Sequence, residues 1–315
     1  SEEKLEYFGD LVDWCNETGY FNLSKTFISA KQLSKQHKDS YVLEQNSKNV
    51  LVVVNNYPWK YDHGIIQRLY QPYFASVIFC GSWYPNEIIE QDNYTSTINP
   101  INYIHMNPTE IHSGYFAYHY VTLVKEMQLS NVNGYFLMAD DTVYNIWQPI
   151  DFSKVHHLSG FSKKEDGDWW SSDYGENAAQ SILNTIQQNT DKKIANVWKE
   201  FELGLKENGY LLGDEMTNQR GKAISDFYYI PTSKIDYYAT LMRVFYENKF
   251  FLELAVNKFL KSVKFQNSLD RGKIYIWGQD RSNWSSYYNE SLVGLHPVKM
   301  SQFRIPGNER KKYDF

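Results

Sequence analysis

The stretch Gly134-Tyr135-Phe136-Leu137-Met138-Ala139-Asp140-Asp141-Thr142 decides how this chain reads. Its apolar run has the length of a strand and stops abruptly at two adjacent carboxylates. That is the pattern of a buried strand delivering charge to the edge of a sheet. Carboxylate oxygens are hard ligands suited to magnesium or manganese, ions commonly shared with substrate phosphates. An ordinary strand end gives the same residues another use, because Asp often caps the turn that follows. The flanking sequence has to separate the two readings.

Upstream, Val50-Leu51-Val52-Val53-Val54 is β-branched and uninterrupted, and Asn55-Asn56-Tyr57-Pro58 stops it. Ile65, Ile66, Leu69 and Tyr70 give residues 64–73 helical spacing, and a second apolar strand over 76–80 closes at Gly81. A helix expected over 113–129 leads into the strand at 135–139. Strand–helix–strand alternation of this kind predicts an α/β fold with a mostly parallel central sheet, buried on both faces and flanked by helices. Ligands of such sheets bind beyond the carboxyl ends of the strands, here Asn55–Trp59, Gly81–Tyr84 and Asp140–Asp141. The C-terminal half is more helical, with amphipathic spacing over 177–188, 193–206, 235–246 and 250–263 and strands at 227–230 and 273–277, the last in the chain. Before the first strand, residues 3–14 have helical spacing and 34–48 read as a polar surface loop. No repeat or linker divides the chain, so the expected organisation is an extension over 1–49 and one domain over 50–315.

Lys plus Arg number 32 and Asp plus Glu 37, a formal charge of −5, which argues against a nucleic-acid partner bound through phosphate neutralisation. The 26 Tyr, 18 Phe and 9 Trp mostly fill a core, although such rings also suit sugars and nucleobases. Cys15 and Cys80 are too few for a disulfide scaffold or a metal motif. Were they to pair, closing so long a loop would contribute about 4 kcal/mol. Sequons at Asn16, Asn22, Asn93, Asn283 and Asn289 favour the secretory pathway. No signal peptide or membrane-length apolar run is present, so an anchor would lie outside this sequence.

A metal on Asp140 and Asp141 needs further ligands. Leu295-His296-Pro297-Val298-Lys299 offers His296, whose neutral imidazole can bind manganese, and Lys299, a point charge for phosphate. The loop carrying Asn55, Asn56 and Tyr57 is dense in amides and aromatics and could hold a nucleoside, or could be a turn with its rings packed inward. Glu253 is an acid within an apolar helix and a candidate base, with a purely structural acid as the plain alternative. Trp169-Trp170-Ser171-Ser172-Asp173-Tyr174 reads as a loop with exposed aromatic faces, suited to an acceptor sugar, with a packed loop as the plain alternative. There is no Gly-x-Ser-x-Gly elbow, P-loop or zinc spacing, and the adjacent His156 and His157 would point apart on a strand.

In order along 50–300, these pieces resemble the STELLO-type glycosyltransferase family and, more broadly, glycosyltransferases of the GT-A fold. The resemblance rests on Val50–Pro58, Leu69–Gly81, Gly134–Thr142, Ser225-Asp226-Phe227-Tyr228-Tyr229-Ile230-Pro231 and His296–Lys299. It implies a Rossmann-like sheet with a nucleotide-sugar half at about 50–150 and an acceptor half at about 151–300. It further implies manganese or magnesium held by Asp140, Asp141 and His296, and a nucleotide-sugar donor, uridine-diphosphate-linked in the first instance. Lys299 would lie near the phosphates and Glu253 near the reacting carbon. A glycan or glycoconjugate would be the acceptor, in the lumen of the Golgi or another secretory compartment, with homo-oligomers left open. Thr142 stands where a strict Asp-x-Asp motif has its second Asp, which leaves open which carboxylate meets the metal. A rival reading is a scaffold that has lost catalysis and assembles with other Golgi enzymes; a carboxylate-based glycosidase is a third.

Overall fold

The computed structural model describes residues 41–55, 63–82, 101–111, 114–161, 167–217, 221–274, 283–298 and 300. The expected N-terminal helix, Cys15, Asn56, Tyr57 and Lys299 lie outside them. The strands are β1 (Asn49–Asn55), β2 (Ser76–Gly81), β3 (Asn102–His105), β4 (Gly134–Ala139), β5 (Val143–Tyr144), β6 (Val155–His157), β7 (Phe227–Pro231), β8 (Phe265–Asn267), β9 (Gly272–Ile274) and β10 (Gly294–His296). A seven-stranded sheet has the order β3-β2-β1-β4-β7-β6-β8, and β5-β10-β9 form a second sheet. Helices flank a mostly parallel central sheet, the Rossmann-like α/β class that the alternating pattern predicts. β1 and β4 are buried at every residue, as a strand covered on both faces must be. Each fully buried Val, Leu or Phe there contributes about 1.5–3 kcal/mol relative to exposure.

The chain forms two compact units, Ser1–Met106 with Met138–Ile150 and Arg271–Phe315, and Asn107–Leu137 with Asp151–Asp270. In the first, β1 pairs in parallel with β2 from Val50↔Ser76 to Asn55↔Gly81, and β2 with β3 from Ile78↔Asn102 to Gly81↔His105. These registers bring Asn55, Gly81 and His105 to one level at the carboxyl ends. Cys80 is a free, buried thiol, and its burial raises its pKa well above normal. β10 runs antiparallel to β5 and parallel to β9.

The second unit holds β6, antiparallel to β7 and parallel to β8. His156 and His157 alternate in facing, as strand geometry demands: His156 Nε2 lies 2.9 Å from Ser268 Oγ, and the His157 ring stacks on Tyr228. Thr232–Glu247 packs on β7, and Glu176–Gln188, Lys192–Glu207 and Leu252–Ser262 pack on that helix, close to the four helices expected. Gly204 allows one close crossing, since a Cβ there would sit 2.0 Å from Ser262 O.

Three expectations are corrected. Part of the polar stretch 34–48 is a helix, Tyr41–Asn46, because buried Asn46 ties it down by donating to Ile146 O at 2.9 Å. The helix expected over 113–129 shrinks to His119–Glu126; Gly114 at φ 92° and Gln128 at φ 53° are left-handed and cannot continue it. β9 is not the last strand, because β10 follows it. Three residues long, β10 has no period to read and exists through its pairing with β5 and β9.

Candidate functional site

β4 ends where the sequence places its charge. Asp140 and Asp141 are buried, at 3% and 7% exposure, directly after the last apolar residue of the strand. The Asp140 amide donates to Val54 O at 3.0 Å, and the Thr142 amide closes a turn on Ala139 O at 3.0 Å. That turn leads into β5, and β5 brings in β10. Val298 N donates to Asp141 O at 2.6 Å, and His296 Nε2 stands 3.2 Å from Asp141 Oδ1. Asp141 and His296, 155 positions apart in sequence, are thereby neighbours through two short strands. The strap that carries His296 is gripped by side chains following β5. Asn145 Nδ2 donates to Leu292 O at 2.9 Å and Trp147 Nε1 to Glu290 O at 3.1 Å, while Tyr288 Oη donates to Asn145 Oδ1 at 3.1 Å. Tyr70 Oη both accepts from Tyr144 N at 2.8 Å and donates to Tyr144 O at 3.3 Å, which satisfies the backbone of β5.

Two carboxylates and an imidazole make a donor set that fits manganese or magnesium in kind. In number they supply part of a shell. Among the described residues, no group of three or more His, Cys, Asp and Glu side chains is gathered closely enough to hold a metal ion. Asp141 and His296 meet each other directly, so the described residues alone would leave the shell of any cation there incomplete.

At the carboxyl ends of β1 to β3, Asn55 Nδ2 lies 3.0 Å from His63 Nε2. With the amide donating, His63 Nε2 accepts and its proton sits on Nδ1. Burial lowers the His63 pKa to about 4, so the ring is neutral near pH 7. It packs on Phe79 and Tyr103 with ring centroids 5.0 and 6.1 Å away. Gly81 is required in this corner because a Cβ would lie 2.9 Å from both Asn55 O and the Tyr103 hydroxyl. The result is a neutral patch of amide, imidazole and phenol at the strand ends, with the chemistry to contact a nucleobase.

The second unit gathers the other candidates. Glu253 is in the first turn of Leu252–Ser262, where a carboxylate also interacts favourably with the helix dipole. Its helix start is fixed residue by residue. Tyr118 Oη donates to Phe250 O at 2.8 Å, Phe251 N to Tyr174 O at 2.9 Å, Leu252 N to Tyr115 O at 2.8 Å and Ala223 N to Glu253 O at 3.0 Å. Trp169 stacks on Phe251 at 3.9 Å, and Tyr115 meets Trp169, Tyr174 and Phe251 edge-on at 5.2–5.4 Å. Trp169, Tyr174 and Glu253 therefore belong to one neighbourhood. The expectation of a loop with exposed aromatic faces needs correcting. Residues 167–170 form a helical turn, Trp170 is 1% exposed beneath the Lys258 ammonium, and Trp169 and Tyr174 are half-buried in the cluster.

His63 and Tyr103 complete the first unit's corner and Tyr115 the second's, yet sequence reasoning singled out none of them. His63 was visible only as a histidine eight residues beyond Asn55. Tyr103 lies on a half-exposed edge strand, and Tyr115 on a turn.

In an open, mostly parallel α/β sheet, ligands bind beyond the carboxyl ends of the strands, and Asn55, Gly81 and the Asp140–Asp141 pair lie there. A model of the STELLO glycosyltransferases matches residues 1–227, and the chain belongs to that family. The matched stretch contains Asn55, Asp140, Asp141, Trp169 and Tyr174 and ends before Glu253 and His296. No curated protein sequence matches the chain.

Proposed function

We propose that the protein is a metal-dependent glycosyltransferase that moves a sugar from a nucleotide-diphosphate donor, uridine-linked, to a glycan or glycoconjugate acceptor. The observation that carries this reading is the buried Asp140–Asp141 pair at the end of β4 with His296 brought against it by β10. Asp140, Asp141 and His296 would contribute part of the ligand shell of manganese or magnesium, with donor phosphates supplying more of it, and the ion's charge would neutralise the leaving diphosphate. Asn55 and His63 would contact the nucleoside, joined by Asn56 and Tyr57, and Lys299 would add charge near the phosphates. In the acceptor half, Glu253 would act at the reacting centre and Trp169, with Tyr174, would support an acceptor sugar. The five sequons support a Golgi or other secretory-pathway lumen. Among the described residues, no helix is long and apolar enough to cross a membrane.

The direct contact between Asp141 and His296 favours a second reading, a GT-A-like binding or assembly protein without catalysis, because each group already has a partner. Calorimetry with manganese and a panel of uridine- and guanosine-diphosphate sugars separates the two. A transferase binds at least one donor in a manganese-dependent way and loses that binding in the Asp140→Ala, Asp141→Ala double variant. Donor binding that survives the double variant would refute the metal–diphosphate role, and no binding to any donor would favour the scaffold.

A further inference from the structure

We propose that Asn289 is an N-glycosylation site on the strap that carries His296. Of the five sequons, those at Asn283 and Asn289 fall among the described residues, and they differ in geometry. Asn289, Glu290 and Ser291 are all exposed. Ser291 N donates to Asn289 Oδ1 at 2.9 Å and Leu292 N to Asn289 O at 2.9 Å, an Asx turn superposed on a β-turn. Asn289 Nδ2 makes no hydrogen bond to a described residue. Both turn bonds close within four residues, so this turn is local in sequence and can form in a chain still being made.

The Asn283 sequon is built differently. Its middle residue, Trp284, is 3% exposed, its Ser285 is half-buried, and Asn283 O is taken by Ser286 Oγ at 2.8 Å. The hydroxyl amino acid that a transferring enzyme must reach is thus open at Ser291 and partly covered at Ser285. Of the two, Asn289 is the acceptor.

The substrate class is a lipid-diphosphate-linked oligosaccharide. Asn289 Nδ2 bonds to its anomeric carbon, and the bond from that carbon to the diphosphate oxygen breaks. The lipid diphosphate leaves with the electron pair, and the amide gives one proton to a base of the transferring enzyme. A glycan here stands on the outer side of a turn whose carbonyls are gripped from within, Asn289 O and Leu292 O by Asn145 and Glu290 O by Trp147. It shields this face of the strap from protein partners without disturbing those bonds.

The inference rests on the secretory-lumen part of the proposed function, and the experiment separates the two. The chain is secreted from a eukaryotic cell behind a cleavable signal peptide, which forces passage through the lumen whatever its native address. Intact mass and peptide mapping are read before and after peptide-N-glycosidase F. The expected result is a mass loss on treatment, with Asn289 recovered as Asp. The Asn289 peptide's own step, read apart from those of the other sequons, disappears in N289Q and S291A but persists in S291T, which keeps the sequon, and in N283Q. Recovery of unmodified Asn289 from the secreted, folded chain overturns the proposal, as does loss of the step in N283Q alone. The S291A and S291T pair keeps the test readable if N289Q folds poorly.

Discussion

In the second unit, the Glu215 carboxylate sits between two ammonium groups. Lys258 Nζ is 2.8 Å from Oε2, and Lys261 Nζ is 2.8 Å from Oε1, with all three side chains at most 5% exposed. Among the described residues, two buried cations face this one carboxylate, a surplus of positive charge in a low-dielectric setting. Desolvation is the largest influence on Lys258 and lowers its pKa from 10.5 to about 8, against the pull of Glu215. That drop is worth roughly 3 kcal/mol against the charged form. The sign follows from proton counting. Between pH 8 and 10.5 the unfolded chain holds a proton that the native Lys258 has released, so this residue's contribution to stability rises with pH across that window and is fully unfavourable below it. Lys258→Met removes the surplus charge while keeping most of the volume, and is expected to leave stability unchanged or raise it by up to about 3 kcal/mol at pH 7. Glu215→Gln abandons both ammonium groups and should cost about 3–5 kcal/mol. Urea unfolding followed by tryptophan fluorescence reads both, with Trp170 reporting from 5.6 Å beside Lys258. The parent-minus-variant difference across pH 7–10 isolates Lys258, since buried Cys80 and the buried tyrosines titrate in both proteins. Loss of more than about 3 kcal/mol in Lys258→Met, or an unchanged pH slope, would refute the reasoning.

Two further outcomes follow from burial. Gly134→Ala places a Cβ 2.2 Å from the Tyr229 hydroxyl, on a ring that is fully buried and bonded to Phe152 O at 3.2 Å. It should lower stability by about 1–3 kcal/mol in urea, and a neutral result would mean that the ring has room to move. Acid should unfold the protein early. Burial holds His63 and His119 down to about 4 and His157 to about 3, whereas the unfolded chain takes up protons near 6.5. Stability therefore falls as pH drops from 6.5 toward 4, by up to roughly 3 kcal/mol for each fully buried ring. A melting temperature that is flat over that range would contradict this.

The sheet was legible because its strands are covered on both faces. Val50–Val54 and Tyr135–Ala139 have no polar residue to misplace, and four long helices repeat their apolar face often enough to be read. Asp140 and Asp141 could be found for the same reason, as charges at the end of an unbroken apolar run. What stayed hidden depends on pairing between distant segments. β5 and β10 are two and three residues long, and neither carries a period, yet their register is what brings His296 to Asp141. His296 could be named from its side-chain chemistry, but its place beside Asp141 could not be read from the residues around it. The packing of Trp169 and Tyr174 was likewise unreadable, because it is fixed by Tyr115 and Phe251, 54 or more residues away in sequence from Trp169. An aromatic-rich loop looks the same whether its rings face a sugar or each other.

The incomplete ligand set gives the proposed function its most exacting test. With Asp141 and His296 in contact and no three-ligand group among the described residues, those residues offer a cation part of a shell. Diphosphate oxygens are the natural remainder, since magnesium and manganese are commonly shared between one or two carboxylates and a substrate's phosphates. Manganese and uridine diphosphate should then bind cooperatively. Linkage requires the enhancement to be reciprocal, and couplings of this kind are typically about 5- to 150-fold, or about 1–3 kcal/mol. Titrating manganese with and without saturating uridine diphosphate, and the nucleotide with and without manganese, measures both sides of the cycle. In His296→Ala the coupling should shrink while the nucleotide alone still binds through the Asn55–His63 corner. Manganese binding as tightly without nucleotide as with it would mean that the chain completes the shell by itself, and the shared-ligand account would fail.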